Sequence, residues 1–209
     1  MPRASDLAKA PKRASVRRPR VNETRRDELS AQLDEILLTE GFIGLTMDDL
    51  VQRVGCSKAT LYSIAGSKEQ LVVAVTKRFF RGAAEEIEAA VAAQPDVRQR
   101  IATYLAGVGT AMRRQAPAFY GDMVAFEPTA SIYLHNSDTA ARRVRELIED
   151  GVRQGVFRSV DGAFAAQLIT LAIDGIQSGA MLRTTGLSAG DAFAELGDLL
   201  LNGLSTGGA

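Results

Sequence analysis

A chain of 209 residues that is 46% hydrophobic and 24% charged can bury a sizeable core, which excludes global disorder. No run reaches the ~18 apolar residues of a membrane span, no secretory signal is evident, and the lone Cys56 excludes an internal disulfide, so a cytoplasmic location is expected. The net charge is zero, yet residues 1–78 hold 14 Lys and Arg against 10 Asp and Glu, and residues 79–209 hold 11 against 15. A polyanionic partner is therefore expected at one end only.

Residues 1–21 read as a basic arm, disordered in isolation, with Lys12-Arg13, Arg17-Arg18 and Arg20 set among prolines. Such an arm can contact DNA or be a solvated tail. From Arg25 to Glu40, Leu29, Leu33, Ile36 and Leu37 recur on one helical face, and Gly41 ends that helix. A short second helix starts at Thr46, an N-cap hydroxyl, with Asp48 and Asp49 in the first turn, where the helix dipole favours anions. Gly55-Cys56-Ser57 breaks it, Cys56 reading as a small buried hydrophobe, and Ser57 caps a third helix that runs to near Ser63. Ser67 opens a fourth, with Gln70 as its capping-box partner. There Leu71, Val75, Phe79, Ala83, Ile87 and Val91 form a stripe long enough to join two domains. Beyond Pro95, helices are predicted over 96–114, 117–126, 138–154, 161–182 and 189–204. Glu127 to Asn136 has no readable period, and Gly155 reads as a helix stop.

Two short helices separated by a glycine-containing turn, and braced by a preceding helix, present the second of them to the DNA major groove. Here that second helix begins Ser57-Lys58-Ala59-Thr60-Leu61-Tyr62. Leu61 is expected to face inward, which turns Lys58, Ala59 and Thr60 outward. A lysine can donate to guanine O6 and N7, and the Ala or Thr methyl can meet a thymine methyl. Tyr62 can donate its hydroxyl to a phosphate. Ser67-Lys68 stands at a helix N-terminus, where free N–H groups, the dipole and an ammonium all favour a phosphate oxygen. Thr46, Ser57 and Ser67 would serve as caps in any helical protein; their joint spacing with Lys58 and Lys68 is what points to DNA.

In this stretch the chain resembles the tetracycline-repressor (TetR) family of bacterial regulators. The residues that carry the resemblance are Thr46-Met47-Asp48-Asp49-Leu50-Val51, Gly55-Cys56-Ser57, Leu61-Tyr62 and Gly66-Ser67-Lys68-Glu69-Gln70-Leu71, within residues 24–82. It implies an all-α chain, with an N-terminal three-helix helix-turn-helix DNA-binding domain over 22–82 and a C-terminal helical ligand-binding and dimerisation domain over 83–209. By position it implies Thr46, Tyr62 and Lys68 as phosphate contacts, with Lys58, Ala59 and Thr60 as the base-reading surface beside the Ser57 cap. The chain departs from the family at Ser63-Ile64-Ala65, where an aromatic brace with a His or Tyr is usual.

In the body, the helix over 161–182 is apolar on most of its circumference. Phe164, Leu168, Leu171, Gly175 and Gly179 fall on one side and Ile169, Ile173, Ile176 and Ala180 on another. One side can pack inward and leave the other for a partner. The helix over 189–204, with Phe193, Leu196, Leu200 and Leu204, offers a second stripe, and the resemblance implies a homodimer through these two helices. Tyr104, Met112, Phe119, Tyr120, Met123, Phe126 and Tyr133 either line an apolar ligand pocket or fill the core. Asp174 either pairs a cationic ligand or sits at the dimer seam. The solitary His135 lacks partners for a metal site or a catalytic triad, and no paired carboxylates or phosphate-binding loop are evident, so no enzyme and no cofactor are expected. The expected function is a repressor whose dimer binds a pseudo-palindromic, double-stranded DNA operator and is released by a small apolar molecule. An activator, or a DNA-binding dimer without any small-molecule effector, is the alternative; a buried cavity lined by the Met and aromatic set would argue against the latter.

Overall fold

The computed structural model describes residues 20–204, and its regular elements are helices. They are α1 (Arg20–Glu40), α2 (Met47–Val54), α3 (Lys58–Ile64), α4 (Lys68–Ala93), α5 (Val97–Met112), α6 (Pro117–Ala125), α7 (Glu127–Arg153), α8 (Gly162–Gln177), α9 (Ala180–Thr185) and α10 (Ala189–Leu204). The basic arm, apart from its last residues, lies outside the described residues. No described helix is long and apolar enough to cross a membrane. The all-helical arrangement is the one expected.

The apolar stripes sort into two cores. Leu29, Leu33 and Leu37 of α1 meet Leu50, Leu61, Leu71, Val72 and Val75 in one of them, and Phe119, Met123 and Tyr133 join from α6 and α7. Ile87, Val91, Ile101, Leu105, Val144, Leu147, Ile148, Ile169 and Ile173 build the other. Helix α4 runs through both, so the stripe from Leu71 to Val91 ties the two ends of the molecule together, and an Arg78–Asp34 fork pins α4 to α1.

The structure adds one helix segment and corrects two expectations. The unreadable stretch Glu127–Asn136 is helical, because Phe126 ends α6 and α7 starts at once with Pro128 in its first turn. Buried Thr129 secures that corner by donating to the carbonyls of Met123 and Phe126, at 2.8 and 3.0 Å. The helix expected over 161–182 is broken: Ser178 caps α8, Gly179 takes a left-handed φ of 70°, and a single short helix, α9, follows. Gly175 and Gly179 therefore do not share a continuous helical face. In α10 the stripe of Phe193, Leu196, Leu200 and Leu204 packs into the chain's own core, while Leu199 points outward.

Gly155 does stop α7, with a φ of 71°. The turn after it folds Phe157 back onto Gly151, where a Cβ would lie 2.0 Å from the ring. We expect Gly151→Ala to overpack this corner and cost about 2–3 kcal/mol, read as a lower urea midpoint at unchanged slope.

Candidate nucleic-acid interface

Each short helix begins on a side-chain cap. The Thr46 hydroxyl accepts Asp49 N–H at 3.1 Å, and the Asp49 carboxylate accepts Thr46 N–H at 2.8 Å, a complete capping box. The Thr46 hydroxyl also donates to that carboxylate at 2.6 Å, and this bond first, then the Thr46 N–H, holds the Asp49 carboxyl below the usual carboxylate range; Arg53 and Lys68 nearby add to the effect. Helix α2 ends at Gly55, whose φ of 61° turns the chain sharply. Ser57 then caps α3 by accepting Thr60 N–H at 3.1 Å. Ser67 caps α4 through Gln70 N–H, but the return contact differs from a full capping box. The Gln70 side-chain amide oxygen accepts Gly66 N–H at 3.0 Å instead of the N–H of Ser67.

Leu61 is fully buried, so the two short helices lock together through it. Around it the chain presents Lys58, Ala59 and Tyr62 to solvent, Tyr62 at 49% exposure, with Thr60 half-buried at the cap. The Lys58 ammonium donates to Asp48 at 2.8 Å, which raises the lysine pKa and ties the start of α3 to the start of α2. The Lys68 ammonium donates to the Ile43 carbonyl at 3.1 Å. Lys68 also lies near enough to Asp49 to act on its charge, so the starts of α3 and α4 both approach the start of α2. Cys56 is half-buried against the core of Leu29, Leu50 and Leu61 instead of enclosed. At Ser63-Ile64-Ala65 the exit of α3 is regular: Ala65 is buried, Ala65 N–H reaches Leu61, and Arg26 donates to the Ser63 carbonyl at 3.2 Å. These contacts satisfy the backbone where the family's aromatic brace is missing.

A family profile described as "Bacterial regulatory proteins, tetR family" matches residues 34–75, the segment from α1 through α2 and α3 into α4. The chain carries the tetR-family regulatory domain. It is 33% identical over 106 residues to the HTH-type transcriptional activator FasR of Mycolicibacterium smegmatis, a match covering 46% of this chain. The chain spans about half the length of that relative, 48%. Its fold is that of solved regulators. A chain from Saccharomonospora viridis, assigned as a transcriptional regulator and solved in complex with choline, aligns at TM-score 0.75 and 17% identity, covering 88% of this chain and all of the other. A TetR transcriptional regulator from Chloroflexus aurantiacus aligns at TM-score 0.71 and 19% identity, covering 90% and 100%. The match thus lies on the segment that holds the short helices α2 and α3, and the solved structures share the fold of the whole described chain.

The candidate ligand residues fall in different places. Phe119 and Met123 are fully buried in the core of Leu29, Leu50 and Leu61, and Phe126 packs against it. Met112 and Tyr120 line a cavity of about 400 Å³ between α5, α6, α8, α9 and α10, together with Ile176, Leu182 and Phe193. Tyr104 and Met112 line a second cavity of about 240 Å³ between α4, α5 and α7, against the Arg143–Glu88 ion pair. Burial and the Glu88 carboxylate push the Tyr104 phenol up to about 12. Asp174 accepts the Tyr133 hydroxyl, which also reaches Gln177 at 3.2 Å, so α7 and α8 share a half-buried polar contact. Sequence reasoning missed Asp122 of α6 and the turn it holds. Gly41 carried a signal, but it was read only as a helix stop.

Replacing Thr46 by Ala removes the α2 cap and is expected to cost about 1 kcal/mol, whereas Thr46→Ser keeps most of it. Because folding lowers the Asp49 pKa, its contribution is full above the ordinary Asp value of about 3.9. It is lost as pH falls through the lower folded value. Urea midpoints of Thr46→Ala and the parent should therefore draw closer at acid pH without meeting, because the Thr46 hydroxyl still accepts Asp49 N–H there; a gap that does not narrow counts against the Thr46–Asp49 carboxylate contact.

Proposed function

We propose that the chain binds a pseudo-palindromic operator as a homodimer through α3, and that it is a repressor released by a small apolar molecule. In this reading residues 22–82 form the DNA-binding unit and residues 83–209 form the effector and dimer unit. The observation that carries it is the start of α3, where Lys58 and Ala59 are exposed and Thr60 is half-buried beside them, over the buried Leu61. These residues read base edges, while Thr46, Tyr62 and Lys68 hold phosphates and set register.

Dimerisation is supported by the outer face of α8. Phe164, Leu168 and Leu171 are 71%, 54% and 59% exposed, while Ile169, Ile173 and Ile176 on the opposite face are buried. Leu199 of α10, at 70%, extends that patch. A second copy covering these residues by two-fold symmetry brings two recognition helices to one side. The effector reading is supported by the cavity of about 400 Å³, whose lining mixes Met112, Ile176, Leu182 and Phe193 with Tyr120 and Gln177. The choline complex of the Saccharomonospora viridis chain is a precedent for a small molecule in this fold. The name of the Mycolicibacterium smegmatis relative favours a second reading, in which the bound dimer activates transcription.

Selecting duplexes from a random pool tests the operator reading. The parent is expected to enrich an inverted repeat, and Thr60→Ala a different one; no enrichment would sink it. Lys68→Ala should weaken all sequences alike and reduce the slope of log affinity against log salt by about 1. Leu168→Glu should shift the chain to a monomer by sedimentation, and a dimer that survives the change removes α8 from the interface. In a promoter reporter, deletion of the gene raises output for a repressor and lowers it for an activator.

A further inference from the structure

The turn between α1 and α2 is held from two sides. One carboxylate oxygen of Asp122, on α6, accepts the N–H groups of Phe42 and Ile43 at 2.5 and 2.8 Å. On the other side of the same residue, the Ile43 carbonyl accepts the Lys68 ammonium at 3.1 Å. Gly41 makes the approach possible: its φ is +80°, and a Cβ there would lie 2.6 Å from that carboxylate oxygen and 3.2 Å from the Ala118 backbone. Ala116 at the start of α6 donates to the Leu38 carbonyl at 2.8 Å, so α6 is registered on α1 by backbone as well.

A lysine left to itself spreads its ammonium over many rotamers, and fixing it when a phosphate arrives costs side-chain entropy. A carbonyl that holds the ammonium at the start of α4 beforehand removes part of that cost. The peptide before it sets the direction of that carbonyl, and Asp122 holds that peptide to α6. The next hydrogen bond in the turn, Leu45 N–H to the Phe42 carbonyl at 3.2 Å, closes the loop around Ile43 but does not reach α6.

We infer that Asp122 is a positioning residue for DNA binding, setting the place of the Lys68 ammonium through the Ile43 turn. The inference rests on the reading of Lys68 as a phosphate contact. Asp122 lies on the helix whose first residues, with Ala116, Pro117 and Tyr120, wall the cavity of about 400 Å³. It therefore joins the body of the protein to the interface by hydrogen bonds from a single side chain. A plain charge effect predicts the opposite sign, since removing a carboxylate near DNA strengthens binding.

The test measures operator-duplex binding by fluorescence anisotropy across a salt series, at temperatures where each variant is folded by circular dichroism. Asp122→Ala should bind about tenfold more weakly. Its salt slope should fall by about 0.9 for each phosphate that is no longer neutralised, as in Lys68→Ala, and the double variant should be no weaker than Lys68→Ala alone. Asp122→Asn, which keeps an oxygen acceptor, should stay within about threefold of the parent. Should Asp122→Ala be unfolded, Asp122→Leu keeps the volume, removes the acceptor and carries the same expectations. Tighter binding by both the Ala and Asn variants, an unchanged slope, or additive weakening in the double variant would overturn the inference. A slope that is unchanged in Lys68→Ala itself overturns the phosphate reading and the inference with it. A flattened Lys68→Ala beside an unflattened Asp122→Ala overturns the positioning role alone.

Discussion

A helix leaves its last carbonyls and first N–H groups without partners inside itself, and α1 and α6 meet this need in each other. Helix α6 has Ala116 at its N-cap and no side-chain cap, and the Ala116 N–H goes to Leu38, near the end of α1. Where α1 turns toward α2, the Phe42 and Ile43 N–H groups go to Asp122. These donors are backbone, so the junction is fixed by chain geometry, and Gly41 must lack a Cβ for it to form. The rings of Phe42 and Phe119 then meet edge to face at 5.9 Å, and Phe42 and Phe126 at 6.0 Å. Burying Phe119 and Met123 contributes about 1.5–3 kcal/mol each, more than the ~1 kcal/mol of a typical net hydrogen bond. Apolar burial thus supplies most of the stability at this junction, and the hydrogen bonds set its register.

The same junction reaches α8 through rings. Phe79 packs on Phe119 at 6.4 Å and on Phe80 at 5.2 Å, Phe80 lies 6.3 Å from Tyr133, and Tyr120 meets Tyr133 edge to face at 5.7 Å. Burial and the Asp174 carboxylate push the Tyr133 phenol well above its ordinary value, so it stays a donor at any working pH. Asp174 had two readings from sequence, a partner for a cation or a seam residue. In the folded chain it is first an acceptor for Tyr133, which fixes α8 against α7. The outer face of α8 is therefore presented by a helix anchored on its inner side by both Ile169 and a charged hydrogen bond.

What was legible in the sequence was local. Thr46, Ser57 and Ser67 announced helix starts because capping is decided within a few residues, and Leu61 announced the locked pair by its spacing. The two faces of α8 were legible because both are apolar and fall on opposite sides of a 3.6-residue repeat. The start of α7 was not, because Ser131, His135 and Asn136 dilute its period, and Thr129 is buried for a hydrogen bond to the previous helix, not for apolar burial. The break at Gly179 was missed because a glycine inside an apolar run suits close packing as well as a left-handed turn, and local sequence does not choose between them. Leu199 and Leu200 sit side by side in a run of leucines, so which one faces outward depended on how α10 docks. Asp122 acts on residues some eighty positions away, beyond any periodic signal.

On the proposed reading, the interface combines fixed backbone with replaceable side-chain contacts. The caps order the first turns of α2, α3 and α4, and they need acceptors, so Asp49 stands among the phosphate-binding residues. Asp48 sits beside it and holds Lys58. Both carboxylates repel a phosphate within the ~8 Å screening length of physiological salt. Lys58 and Lys68 therefore neutralise part of the chain's own charge before they neutralise DNA. The Lys58–Asp48 pair is exposed on both sides, and such pairs are worth about 0–1 kcal/mol. A good bidentate contact from a lysine or arginine to guanine is worth about 1–3 kcal/mol of discrimination. The operator can therefore take Lys58 from Asp48 where a guanine is offered, and leaves it paired where none is. On this account the intramolecular pair helps the recognition helix reject wrong sequences: it gives Lys58 an alternative partner that a mismatched base does not outbid.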